Sequence, residues 1–146
     1  MFLHETNHEE TINAFTRQQW QPLLDLIPEI ESATAFGQWS GADSGEQGAL
    51  VVPSCAPGPV VSRFFEIVYG MPLIISFDWG AWDEGRTIAS DQNFDLDALD
   101  LPTLCKLITA IVRNDRFCEG ALVAAFESGL ILRILGSIQK QIADKK

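Results

Sequence analysis

Histidine and cysteine are scarce in this chain, and their scarcity limits the kinds of site it can build. The 146 residues include two His, both near the start of the chain, which leaves little material for a histidine-based catalytic or metal centre. The three cysteines, Cys55, Cys105 and Cys118, contain no CxxC pair, and one is left over if any two pair. This count indicates reduced thiols, and we expect no disulfides.

Positive charge and long apolar runs are also lacking. Ten Lys and Arg stand against twenty Asp and Glu, giving a formal net charge of -10, which argues against binding to nucleic acid or to an anionic membrane. No apolar run is long enough to span a membrane, and the N-terminus MFLHETNHEE lacks a signal core, so we expect a cytoplasmic protein. Residues 101–146 hold seven Lys and Arg against four Asp and Glu, so the acidic front and basic tail could attract each other within the fold.

The length and hydrophobic content of the chain are sufficient for one folded domain. A hydrophobic content of 47% over 146 residues is typical of a globular chain with its own core. We predict a single compact domain over residues 1–146, with residues 1–11 frayed or loosely helical and residues 143–146 a solvated tail.

Apolar periodicity predicts several helices. From Ile12 to Ile30 the spacing is helical, with Pro22 suited to a first turn and Pro28 expected to end or kink the helix. Pro59 is placed to open a helix over residues 60–69. Asp100 is the expected N-cap of a helix over residues 101–113.

Two further helices are expected after residue 113, so that three helices form a C-terminal layer. Asn114 or Asp115 would cap the first of them, and Ser128 with Gly129 would end it. The last helix carries an apolar stripe consisting of Ile131, Ile134, Leu135, Ile138 and Ile142.

Three short segments have strand-like composition, at residues 36–39, 49–52 and 73–79. In the last, Leu73, Ile75, Phe77 and Trp79 would share one face, with Ser76 and Asp78 on the other. We therefore predict an α+β fold, with a small sheet of about three strands, flanking helices and the C-terminal three-helix layer.

Four blocks of sequence resemble one bacterial family of uncharacterised proteins, domain of unknown function 6508. They are RFCEGALVAAFESGLILRIL at residues 116–135, FDWGAW at 77–82, LDLPTLCKLITAIVRNDRF at 99–117 and LLDLIPEIE at 23–31. The resemblance covers residues 20–138 and implies a soluble bacterial protein. It implies no activity and no functional residues.

Two strings partly match metal-binding motifs. His4-Glu5-Thr6-Asn7-His8 fits the zinc motif HExxH, but it stands in polar company near the N-terminus, and no third ligand is evident. Asp91, Asn93 and Asp95 match the first, third and fifth positions of a calcium loop, whereas Leu96 and Pro102 stand at the sixth and twelfth, where Gly and Glu are required. We expect no metal, no cofactor and no catalytic residue set.

The residues most typical of a binding site are Asp78, Trp79 and Trp82, to which we add Arg116 and Glu119. Indole faces beside carboxylates could bind a cationic or ring-bearing ligand, or the indoles could simply close the core. Arg116 and Glu119, three residues apart on a predicted helix, could form a structural ion pair.

Two function classes remain. The first is a non-enzymatic protein-interaction or adaptor domain that uses its acidic surface and could self-associate through apolar helix faces, without nucleic acid or membrane. The second is a small-molecule-binding protein, or an unrecognised enzyme, with a cleft near Trp79, Trp82 and Arg116.

Overall fold

A computed structural model describes residues 5–40, 54–71, 73–75, 77–115 and 120–143, and these are mostly helical. The helices before the sheet and directly after it are α1 (Glu5–Ala14), α2 (Arg17–Leu24), α3 (Leu26–Ser32) and α4 (Pro59–Gly70). The later helices are α5 (Asp83–Ser90), α6 (Leu101–Asn114), α7 (Ala121–Glu127) and α8 (Leu130–Ala143). Two strands, β1 (Gly37–Ser40) and β2 (Ser54–Pro57), form a small antiparallel sheet, and 3-10 helices span Trp79–Ala81 and Leu96–Ala98.

The prolines near the N-terminus act differently from the prediction. A capping box, in which Thr16 and Gln19 each accept a backbone N–H from the other, begins α2 ahead of Pro22. Pro22 therefore lies in the interior of α2 and not in its first turn. In the interior, its missing N–H costs the helix one hydrogen bond. The interruption falls at Asp25, so Pro28 lies in the first turn of α3, a position that needs no N–H.

Within the described residues the sheet has two strands, fewer than the three or so that were predicted. β1 is displaced by one residue from the expected segment at 36–39, and its Gly37 pairs with Pro57. β2 lies in the proline-rich run at residues 53–59, after the expected strand at residues 49–52, which lies outside the described residues. A Cβ at Gly37 would approach the Ala56 carbonyl oxygen to 2.9 Å and Val123 to 3.0 Å, so the strand needs glycine there to pack on α7.

The predicted strand over residues 73–79 is not formed by its described residues. Leu73 and Ile75 are buried as the alternation predicts, but their backbones pair with no strand. The Ile75 N–H donates instead to the Thr109 hydroxyl at 3.0 Å, and that hydroxyl donates to the Cys105 carbonyl at 2.8 Å. Burial of alternate residues satisfies the same period-two pattern without a strand partner, which explains the error.

The C-terminal helical layer agrees with the prediction in its main features. Asp100 accepts the Thr103 N–H at 3.0 Å and begins α6, and Gly129 ends α7 with a φ of 86°. Asp115 is not the residue preceding α7, since Gly120 occupies that position, but its carboxylate accepts the Leu122 N–H at 3.0 Å. All five residues of the predicted stripe on α8 are buried.

The outward side of α8 holds the acidic segment that precedes α6, through contacts that we call the α8 seam. Arg133 donates to the Phe94 carbonyl at 2.8 Å, and Gln141 donates to the Leu99 carbonyl at 2.6 Å. Between them, Asp97 accepts hydrogen bonds from Ser137 and from Lys140. At this contact the acidic and basic parts of the chain attract each other within the fold.

Within the described residues, no single helix has the length and apolar composition needed to cross a membrane. α7 and α8 meet that requirement only as a pair, and they are bent by 69° at the break between them.

Candidate functional site

The two metal-motif strings are placed differently. Of the zinc-like string, His4 lies outside the described residues, and Glu5 to His8 belong to the start of α1. In the calcium-like string, Asp91 accepts the Asn93 N–H at 3.0 Å and Asp95 accepts the Asp97 N–H at 3.1 Å. Within the described part of the chain, no group of three or more His, Cys, Asp or Glu side chains could hold a metal ion.

The described thiol of Cys105 is not suited to nucleophilic chemistry. Cys105 lies on the buried face of α6, and burial, followed by the nearby Asp100 carboxylate, raises the pKa of its thiol. A thiol with a raised pKa stays protonated at neutral pH and behaves as a small apolar side chain. Cys118 lies outside the described residues.

Of the predicted cluster, the structure brings Trp79 and Trp82 to one surface recess. Trp79 begins a 3-10 helix and Trp82 immediately precedes α5, and both indoles line the same recess. Asp78 is exposed at the start of this turn. Arg116 and Glu119 lie outside the described residues, and their place relative to the indoles stays a prediction.

The recess, which we call the indole cleft, has a volume of about 250 Å³ and lies between α5 and α6. Both indoles are half-buried, so they line the cleft without being sealed in the core. Its remaining wall residues are Gly85, Arg86, Ala89, Leu107, Ala110, Ile111 and Asn114. The residues from α6 recur at helical spacing and form one wall that local sequence around the tryptophans does not indicate.

Trp82 is held in place from three directions. Its ring meets the Phe77 ring edge-on at 5.6 Å between centroids, and the Lys106 ammonium lies 6.0 Å from the Trp82 centroid. A Cβ at Gly85 would lie 2.2 Å from the indole, so only glycine lets the ring lie against α5. Partial burial lowers the pKa of Lys106, and its position over both rings is a cation–π contact.

Asp83, which follows Trp82 in the chain, forms an ion pair with Arg86. Arg86 donates to Asp83 at 2.9 Å and also to the Gly80 carbonyl, which ties α5 to the 3-10 turn. Arg86 thus places a positive charge in the cleft wall, which disfavours binding of a cationic ligand.

A second surface, which sequence reasoning missed, lies on α4. Phe65 and Tyr69 are exposed by 41% and 36%, and their ring centroids are 4.7 Å apart. The guanidinium of Arg113 lies 6.0 Å from the Tyr69 ring. Helical periodicity places both aromatics off the stripe that buries Val61, Phe64 and Val68, but it does not show whether another element covers them.

A cavity of about 440 Å³ opens beside Phe65. Its apolar walls come from Pro57, Val61, Leu122 and Val123, and its polar groups include Ser62, Glu66 and Asp115. We call the outward residues Ser62, Phe65, Glu66 and Tyr69, together with this cavity, the α4 surface. It combines exposed aromatic area, an apolar recess and carboxylates.

The described residues thus define a mostly helical protein with a small antiparallel sheet, an indole cleft and an open aromatic surface. The model of a family of unknown function, DUF6508, matches residues 15–144, and this chain belongs to that family, as its resemblance predicts. No significant match was found among curated proteins or among solved structures.

Proposed function

We propose that this protein is an interaction domain that binds a different protein through the α4 surface. The observation that carries this proposal is the exposed aromatic pair of Phe65 and Tyr69. Among the described residues, these are the large hydrophobic side chains with more than about a third of their area in water. Tyr and other aromatic residues are enriched at interfaces, where they bury large area at little cost in conformational entropy.

The cavity beside Phe65 supports binding of a side chain from a partner. Its volume of about 440 Å³ is ample for one large aliphatic or aromatic side chain, and Val61, Leu122 and Val123 give it apolar walls. An anchor that fills such a recess at the centre of an interface typically supplies much of the binding free energy.

Charge supports a basic partner segment. Glu66 and Asp115 line the cavity, and the chain has a formal net charge of -10. A second copy of the chain would bring the same net charge to the interface and be repelled, whereas a partner with Lys or Arg beside its apolar anchor would be attracted. We therefore favour a different protein over self-association.

We also propose that the protein acts in the cytoplasm. The buried, uncombined thiol of Cys105 and the absence of a spanning helix within the described residues are compatible with this location.

Selection of short random peptides displayed on phage against the purified protein tests the proposal. We expect the selected peptides to combine a large apolar residue with Lys or Arg. Binding should be lost with Phe65→Ser plus Tyr69→Ser, and weakened by Glu66→Gln.

Two matched variants control for general effects. Gln18→Ser alters an exposed position on α2, and Glu31→Gln removes one negative charge from an exposed position on α3. Selected peptides that bind the Phe65→Ser plus Tyr69→Ser variant as well as the parent would overturn the proposal. Equal weakening by Glu31→Gln and Glu66→Gln would show that only net charge matters.

A further inference from the structure

We propose that the indole cleft is a second, independent binding site, and that its ligand is a small planar aromatic carboxylate. The ring would lie between the indoles and the α6 wall, and the carboxylate would meet Arg86 and Asn114. This site lies on α5 and α6 and involves none of the residues that define the α4 surface.

The size of the cleft limits the ligand to one or two fused rings. A dry cavity of roughly 150 Å³ holds benzene, so about 250 Å³ leaves room for a bicyclic ring system. Ala89 and Ala110 create this space, because their methyl groups stand where larger side chains would fill it. Leu107 and Ile111 add apolar lining.

The aromatic walls favour a planar ligand. Trp79 and Trp82 are half-buried and project from one short turn, so each offers part of its ring to the cleft. Gly85 fixes the position of the Trp82 ring against α5, and Phe77 supports it edge-on. A ring held in this way can stack on a ligand without first losing rotational freedom.

The charge of the lining selects an anion. Although the chain carries twenty Asp and Glu, the described residues that line the cleft include the guanidinium of Arg86 and no carboxylate. Arg86 uses two contacts, with Asp83 and with the Gly80 carbonyl, out of the five N–H groups that a guanidinium carries. A bond from a guanidinium to a carboxylate is charge-assisted and stronger than one between neutral groups.

A cationic ligand, which the sequence left open, is disfavoured by the same geometry. The Lys106 ammonium already lies over the Phe77 and Trp82 rings, at 5.4 Å and 6.0 Å from their centroids. A cation entering the cleft would meet like charge from Arg86, which lines it.

Titration with three naphthalene probes of the same ring size tests the proposal. They are 2-naphthoate, the neutral 2-naphthamide and the cation 2-naphthylmethylammonium, and binding is followed by calorimetry and by tryptophan fluorescence. We expect 2-naphthoate to bind saturably and at least about tenfold more tightly than the amide, because only the carboxylate makes a charge-assisted bond. The cation should bind more weakly than either.

Two variants and their controls locate the binding site. Ala110→Leu fills the cleft and should abolish binding, whereas Ala124→Leu, at an exposed position of α7, should not. Arg86→Gln should reduce the preference for 2-naphthoate over the amide about tenfold, whereas Arg63→Gln on α4 should leave it unchanged.

The proposal fails if 2-naphthoate binds no better than the amide. It also fails if Ala110→Leu binds the probe as the parent does while remaining folded by circular dichroism. Because Phe65→Ser plus Tyr69→Ser should leave naphthoate binding intact, the result is independent of the α4 surface.

Discussion

α4 and α8 are amphipathic helices of similar length, but the side of each helix that faces away from the core has different contacts. Both bury an apolar inner face, which includes Phe64 on α4 and Ile134 on α8. Outward polar side chains of α8, such as Arg133 and Lys140, bond to the protein's own acidic segment. The outward side of α4 instead exposes the Phe65 and Tyr69 rings.

The outward residues of α8 thus stabilise the fold, whereas those of α4 are the ones that we propose for binding. The basic charge on α8 is the obvious feature for a partner to recognise, yet the α8 seam engages it within the chain. Within the described residues, the aromatic pair on α4 meets Arg113 through Tyr69 but bonds to no acidic segment, and its exposure is the basis of the proposed docking role.

The largest expected effect tests whether the two sides of α4 differ as described. Phe64→Ala should destabilise the protein by about 3–5 kcal/mol, because Phe64 is fully buried and its ring lies 5.3 Å from that of Phe126. The neighbouring Phe65→Ala should cost no more than about 1 kcal/mol. Urea denaturation measures both, and equal losses would mean that Phe65 serves the fold.

An intermediate effect compares the outward arginines of the two helices. Arg133→Ala should cost about 1.5 kcal/mol, because it removes a charge-assisted hydrogen bond to the Phe94 carbonyl in a part-buried setting. Arg63→Ala removes an exposed ion pair with Glu29 and should cost about 0.5 kcal/mol. The comparison breaks if the variant on α4 loses as much stability as the variant on α8.

The smallest effect concerns the pH dependence of the α8 seam. Hydrogen bonds from Lys140 and then Ser137 hold the pKa of Asp97 below its ordinary value of 3.8, and Asp97 raises the pKa of Lys140 above 10.5. The contribution of Asp97 is therefore present above pH 3.8 and is lost as the pH falls through its lowered pKa. That of Lys140 is present below pH 10.5 and is lost as the pH rises through its raised pKa.

Denaturation of the parent and of Asp97→Asn across pH measures this effect. The stability difference between them should be constant near neutrality and should shrink in acid below about pH 3.8. A difference that stays constant into acid would show that the Asp97 carboxylate does not stabilise the seam through its charge.

The parts of the fold that sequence predicts are those fixed by neighbouring residues. Asp100 as a cap, Gly129 as a stop and the stripe on α8 each depend on residues within a turn or two. The strand expected at 73–79 failed because a strand requires a partner elsewhere in the chain, and here the Ile75 N–H found Thr109 on α6.

The candidate sites, too, include a part that local sequence predicts and a part that depends on the tertiary fold. Trp79 and Trp82 could be paired from sequence because one short turn joins them, whereas the opposite wall of the cleft comes from α6. The exposure of Phe65 and Tyr69 depends on which elements cover α4, and no local pattern contains that information. Helical periodicity placed them off the buried stripe without indicating that they would remain open.

The most direct test of α4 as a docking surface is photocrosslinking in the native cell, with a photoreactive residue replacing Phe65 or, as control, Gln18. Position 65 should yield a covalent adduct with a different protein, and the yield should fall when Tyr69→Ser is added. Position 18 should yield no such adduct. Equal adducts from both positions, none from position 65, or adducts only with a second copy of this chain would contradict the proposed role of α4.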